Sequence, residues 1–359
     1  MGNRVTLQEI ADTLGLSRNT VSRALNNTGN VSPETRNKIC QAALSMGYKQ
    51  FNMAGYVGPS SASDATFIAS GGKTEIALFT QAFPGSSHSG NKILDAFQHK
   101  IDAIGYKLSI NIIRDYEINN LCFPTNINVD NIAGIICMEL FSKEYCEFLC
   151  RQNIPLLFVD TPLSQRCSLN ADVLYMENLS SVYHMLEAMI NNGCKKIGFV
   201  GDRFHCQSFY ERWQAYVSVL ADKGISLDLD SCILADDSNP YSDTNWLSEQ
   251  IASLKELPDL FFCANDFLAM SMIKALRLLG KSVPGDIRIC GFDDAPEANL
   301  IEPSLTTIKI HSSSMGYTAA ELLLARISNP VMPYKKTYIE TDIMYRESTS
   351  FKQPDKTRA

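Results

Sequence analysis

Between positions 6 and 25 the apolar residues recur at helical spacing, with Leu7, Ile10, Ala11 and Leu14 on one face and Val21, Ala24 and Leu25 on another. Thr6-Leu7-Gln8-Glu9 opens the first run as a capping box: the Thr6 hydroxyl accepts from the amide of Glu9, and the Glu9 carboxylate accepts from that of Thr6. Gly15 ends this helix, Leu16 fills the turn, and Ser17 caps a second helix from Arg18 to Leu25. A third opens at Ser32-Pro33-Glu34, with Ser32 as the cap and Pro33 in the first position, and turns Ile39, Ala42, Ala43 and Met46 inward. Two short helices around a three-residue turn, closed by a third, make an all-α helix-turn-helix headpiece.

From Glu75 onward the pattern changes. Short aliphatic runs at Ile76–Thr80, Leu108–Ile113, Ile132–Met138, Leu156–Asp160, Lys196–Val200, Leu260–Cys263 and Ile287–Gly291 alternate with helical patterns. Strands that are apolar on both faces and joined by helices predict parallel α/β sheets. Asp160, Gly201-Asp202, Asn265-Asp266 and Asp293-Asp294 fall at the carboxyl ends of four such runs. Open α/β sheets take their ligands at those ends, so five acids and an amide placed there point to a cleft.

With 359 residues, 45% hydrophobic and 20% charged, the chain has the composition of a soluble globular protein large enough for two or three domains. The formal net charge of −7 is unevenly spread. Residues 1–58 hold six bases against three acids, leaving 26 bases and 36 acids, a net of −10, in the rest. The basic excess coincides with a second helix whose outer face carries Arg18, Asn19, Ser22 and Arg23, donors suited to guanine and adenine edges and to phosphates. No run approaches the ~18 apolar residues of a spanning helix and no apolar stretch of a signal peptide opens the chain, so a cytoplasmic protein with no membrane partner is expected. Eleven cysteines, scattered without a C-x-x-C pair, are expected to be small buried hydrophobes; no metal and no cofactor are expected.

Three local patterns lose their force on inspection. Met1-Gly2-Asn3-Arg4-Val5-Thr6 fits a loose myristoylation pattern, but Thr6 is better used as a helix cap. Gly72-Lys73-Thr74 ends like a phosphate loop, but Phe67 stands where its first glycine belongs. Gly85-Ser86-Ser87-His88-Ser89 lacks the second glycine of a nucleophile elbow. No pattern supplies both a nucleophile and a base, so the chain is not expected to be an enzyme.

Val5-Thr6-Leu7-Gln8-Glu9-Ile10-Ala11, Gly15-Leu16-Ser17 and Thr20-Val21-Ser22-Arg23-Ala24-Leu25-Asn26, running through Gly47-Tyr48, resemble the headpiece of the lactose-repressor/galactose-repressor (LacI/GalR) family of transcription factors. By that resemblance Arg18, Asn19 and Arg23 read operator bases, while Thr6, Ser17, Thr20, Ser22 and Asn26 hold phosphates. Ala54 and Val57 stand where the family's hinge enters the minor groove, Val57 replacing a leucine wedge, and Gly55 and Gly58 weaken a helix there. Ala264-Asn265-Asp266, Val283-Pro284-Gly285-Asp286, Gly291-Phe292-Asp293-Asp294 and Pro303-Ser304-Leu305-Thr306-Thr307-Ile308 are similar to the family's effector domain, two periplasmic-binding-protein-like lobes joined by three crossovers. The resemblance implies that Asp160, Arg212, Asn265 and Asp293 contact an effector; Phe83, in the loop after the first strand, is a further candidate. Cys194 stands where the family often has histidine and Ile310 where some sugar responders have a polar residue, which leaves the ligand open.

The expected organisation is a headpiece and hinge over 1–58, a Ser/Ala/Gly-rich linker over 59–73, a two-lobed effector and dimerisation domain over 74–348, and a polar tail over 349–359. The expected function is that of a homodimeric transcriptional regulator, a repressor that binds double-stranded operator DNA under the control of a small molecule, a sugar or sugar derivative. The rivals are a DNA-binding regulator with an unresponsive body and a solute-binding protein.

Overall fold

The computed structural model describes residues 6–25, positions 31, 32, 35, 38, 39, 42, 43 and 46, and residues 72–81, 88–163 and 169–350. The chain divides into units of residues 1–73 and 74–359.

In the first unit, α1 (Leu7–Leu14) and α2 (Arg18–Leu25) form as the apolar spacing predicts. The capping box is made: Thr6 N–H donates to Glu9 Oε2 at 2.7 Å and Glu9 N–H to Thr6 Oγ1 at 3.3 Å. Gly15 ends α1 at φ 64°, a left-handed conformation that costs glycine least. Ser17 accepts from Thr20 N–H at 3.1 Å, starting α2. Ile10, Ala11, Val21, Ala24 and Leu25 pack with Ile39 and Ala43 of the third helical segment, where Ser32 accepts from Thr35 N–H at 3.2 Å.

The second unit has two lobes. In the first lobe six parallel strands lie in the order β2-β1-β3-β4-β5-β10, comprising β1 (Glu75–Thr80), β2 (Lys107–Ile112), β3 (Ile132–Met138), β4 (Leu156–Val159), β5 (Asp172–Met176) and β10 (Lys336–Ile339). One face of this sheet buries Phe79, Phe158 and Tyr175 against Tyr145 and Leu149 of α5 (Lys143–Cys150). The other buries Ile76, Ile136 and Leu157 beneath α3 (His88–Asp102) and α10 (Ser312–Ser328). These two helices cross so closely at Gly316 that a Cβ there would run into the carbonyl oxygen of Ile93. The short helix α4 (Asp115–Asn120) follows β2.

The second lobe has the parallel core β6-β7-β8, made of β6 (Ile197–Val200), β7 (Leu260–Cys263) and β8 (Arg288–Cys290). It is flanked by α6 (Ser180–Asn191), α7 (Gln207–Asp222), α8 (Thr244–Ser253) and α9 (Asp266–Leu278). An antiparallel pair, β9 (Thr307–Ile310) with β11 (Thr341–Met344), completes it.

The chain passes between the lobes three times: from β5 into α6, from β9 into α10, and from β10 into β11. A buried ion pair fixes the last return. Arg326 donates from Nε and Nη2 to both oxygens of Asp172, at 2.8 and 2.9 Å, and from Nη1 to the carbonyls of Pro330 and Met332. Asp172 also accepts from Lys335 N–H at 2.8 Å, which aligns β10 along β5. Pairing and hydrogen bonding of this kind are what a buried charge requires.

Candidate functional site

In the headpiece, α2 turns Val21, Ala24 and Leu25 inward and leaves Arg18, Asn19 and Arg23 exposed. Thr6 and Ser17 are exposed at the first turns of α1 and α2, with Thr20 and Ser22 half-buried on α2. The hydroxyls of Ser17 and Thr20 lie 2.8 Å apart. Asn26, Ala54, Val57 and Phe83 lie outside the described residues.

In the second unit a cavity of about 810 Å3 opens between the lobes, and Asp160, Arg212, Asn265 and Asp293 all line it. Each is placed by a different element. Asp160 follows β4 at φ 62°, and its Oδ1 accepts from Thr161 N–H at 2.7 Å and from Ser208 N–H, in the first turn of α7, at 3.3 Å. A carboxylate of one lobe thus sits on the positive end of a helix of the other. One turn further along α7, Arg212 is only 2% exposed. It donates from Nε to Asn178 Oδ1 at 3.0 Å and from Nη1 to the Ala264 carbonyl at 2.7 Å, and its guanidinium lies 3.5 Å from the centre of the Phe292 ring. Asn178, on the first crossover, is itself held by its amide donating to the Met176 carbonyl and to Glu211, while Glu211 accepts from Gln207 and from the Tyr338 hydroxyl.

Asn265 caps α9, its Oδ1 accepting from Leu268 N–H at 2.9 Å, and lines the cavity from there. Asp293 and Asp294 both have positive φ, 123° and 52°, a strained arrangement that aims them apart. Asp294 takes the Arg346 guanidinium at 2.6 Å, whereas Asp293 lines the cleft with Arg212 Nη2 3.9 Å away. Burial pushes the Asp293 carboxyl up to about 6, opposed by Arg212 and reinforced by Glu139. Asp266, 1% exposed, is also raised, by burial and then by Asp293. It accepts from Thr307 Oγ1 at 2.5 Å and from Ala295 N–H at 2.9 Å, and so ties the strained loop to α9.

Several residues of this site escaped sequence reasoning. Asn178, Glu211 and Tyr338 come from three distant segments and meet only because the crossovers bring them together. His205, between the rings of Phe141 and Phe209 at 4.8 and 4.9 Å, is hydrogen-bonded through Nδ1 to Asp237. Burial lowers its pKa, but Asp237, with Asp160 and Asp202 beyond, outweighs this and raises it. Ile310 lines the cavity where a polar side chain was weighed. Among the described residues no group of three or more His, Cys, Asp or Glu is placed to hold a metal ion, and no helix is long and apolar enough to cross a membrane.

Residues 6–50 match the bacterial regulatory proteins of the lacI family, and residues 186–349 match the periplasmic binding protein-like domain. The chain is 27% identical over 359 residues to the HTH-type transcriptional regulator GalR of Streptococcus thermophilus, covering 96% of this chain and 99% of that one. Its fold is that of a transcriptional regulator CelR–cellobiose complex, with a TM-score of 0.68, 22% identity, and coverage of 96% and 100%. It is also that of a lac repressor dimer bound to operator and the anti-inducer ONPF, with a TM-score of 0.63, 20% identity, and coverage of 97% and 99%. Carrying the headpiece match and the two-lobed body in one continuous chain, this protein belongs to the LacI/GalR family of transcriptional regulators.

Proposed function

We propose that the protein is a cytoplasmic repressor that binds operator DNA as a homodimer and releases or tightens its hold when a saccharide occupies the cleft. The carrying observation is the convergence of Asp160, Arg212, Asn265 and Asp293, from four separated strand ends and helices, on one interlobe cavity of about 810 Å3. Carboxylates and an amide suit vicinal hydroxyls, and a pre-oriented guanidinium offers a rigid fork of donors. The structural relatives bound to cellobiose and to operator DNA support this reading. In the headpiece, Arg18, Asn19 and Arg23 read base edges from the exposed face of α2, and Thr6, Ser17, Thr20 and Ser22 hold phosphates. Two-fold symmetry of the dimer matches a near-palindromic site. Lobe closure on the ligand moves the lobe that carries the linker, a coupling of typically ~1–3 kcal/mol.

Fluorescence anisotropy on labelled promoter DNA, titrated with and without sugars, tests this. Steeply salt-dependent binding that a sugar shifts, with the shift lost in Arg212→Ala, is the expected result. Binding that is indifferent to every sugar would leave a regulator with an unresponsive body, and no DNA binding at all would favour the solute-binding rival.

A further inference from the structure

A second cavity, of about 290 Å3, adjoins the cleft within the second lobe. His205, Phe209, Asp237 and Asn265 line both spaces, so the hydrogen-bonded His205–Asp237 pair stands at the passage between them. The far wall is built from the turn at Pro240, Tyr241 and Ser242 and from the first turn of α9. There Phe267 is 51% exposed and lines the side cavity. An exposed aromatic ring beside a concave, polar-lined space marks a binding surface more than a lone apolar surface residue does.

The charges narrow the class of ligand. Asp160 and Asp293 face the cleft, Asp202 faces the side cavity, and Asp237 faces both. The cations of the lining are largely committed: Arg212 gives Nε to Asn178 and Nη1 to the Ala264 carbonyl, which leaves Nη2 beside Asp293 at 3.9 Å, and His205 is held by Asp237. No lysine lines either space among the described residues. A phosphate or carboxylate on the ligand would be desolvated among these carboxylates with only Nη2 of Arg212, already beside Asp293, to offset it, an arrangement that buried charge tolerates poorly.

We propose that the effector is an uncharged saccharide of at least two rings, the first held in the cleft by Arg212, Asn265 and Asp293 and the second lying on Phe267 in the side cavity. This inference rests on the saccharide reading of the cleft. Hydroxyls of the second ring donate to Asp202 and Asp237, and its apolar C–H face covers the Phe267 ring.

The test is calorimetric titration of the full chain with matched sugars: glucose against cellobiose and maltose, galactose against lactose, and glucose 6-phosphate and galacturonate as anionic counterparts. One disaccharide is expected to bind at least about tenfold tighter than its monosaccharide, which is the worth of one buried aromatic contact, and the anionic sugars are expected not to bind. Phe267→Ala, which removes the platform, and Ser242→Trp, which fills the cavity from an exposed turn, should each erase that advantage while leaving monosaccharide affinity within about twofold. A monosaccharide or an anionic sugar as the tightest ligand, or a disaccharide preference unmoved by both variants, overturns the two-ring inference alone. Binding of none of these sugars overturns the saccharide reading beneath it.

Discussion

Replacing Asp293 with asparagine is expected to make the ligand-free protein more stable at neutral pH while impairing effector binding. The carboxyl is held among cleft walls, with Arg212 Nη2 at 3.9 Å only partly offsetting burial and Glu139 adding repulsion, so that its pKa rises from 3.8 to about 6. An acid whose folded pKa is raised binds more protons when folded than when unfolded. Its contribution therefore falls as pH climbs from about 4 to about 6 and stays lost above that window. At about 1.4 kcal/mol per pKa unit, the cost of the charge approaches 3 kcal/mol at pH 7.5 and is below about 1 kcal/mol at pH 4. Asparagine keeps the shape and removes the cost, but Arg212 loses a neighbouring counter-charge, so a net gain of about 1–3 kcal/mol at pH 7.5 is expected. Urea unfolding of both proteins from pH 4 to 8 measures it. A variant less stable than the parent at pH 7.5, or a stability difference constant across that range, would refute the reasoning.

Three further substitutions probe other links. Gly316→Ala should destabilise the first lobe by about 1–3 kcal/mol, because the new methyl meets the Ile93 backbone and Ala96 Cβ at 2.7 Å; a melting temperature equal to the parent's would show that α3 and α10 can separate freely. Asp172→Ala, which strands the 3%-exposed Arg326, should cost about 3–5 kcal/mol in chemical denaturation, whereas an exposed pair would cost under about 1 kcal/mol. Arg18→Ala should relax base preference at one operator position by about 1–3 kcal/mol while phosphate-driven binding to random DNA persists; selection from a randomised duplex library reads this directly, and an unchanged consensus would remove Arg18 from the reading set.

The headpiece was legible because its signals are local: the capping box, Gly15 in the turn and the Val21–Ala24–Leu25 stripe act within one or two helical turns and reappear as drawn. Strands β1, β3, β4, β6 and β7 were equally plain, being buried on both faces and therefore almost continuously apolar. The ones that passed unread explain themselves. β5 opens on a charged residue, Asp172, tolerated in the interior only because Arg326 arrives from 154 positions away. β10, at the sheet edge, alternates exposed and half-buried residues over four positions, too short a period-2 run to stand out. In the cleft, residues at strand ends could be named in advance, whereas the shell behind Arg212 could not: Asn178, Glu211 and Tyr338 owe their roles to the crossovers and not to any spacing along the chain.

Those crossovers also govern how the protein comes into being. The first lobe begins at Glu75 but takes its covering helix from Ser312–Ser328 and its last strand from Lys336–Ile339, after the whole core of the second lobe has been made. On a ribosome adding about 5–20 residues per second, the headpiece can condense early, while the edge of β5 and the upper side of α3 wait many seconds for partners. Until then the nascent chain presents an open parallel sheet edge, the kind of surface that invites pairing with a neighbour. A fragment that stops before Lys336 would inherit that edge permanently, so the two lobes cannot be cut apart into independent halves: each is finished by chain that belongs, in order of synthesis, to the other.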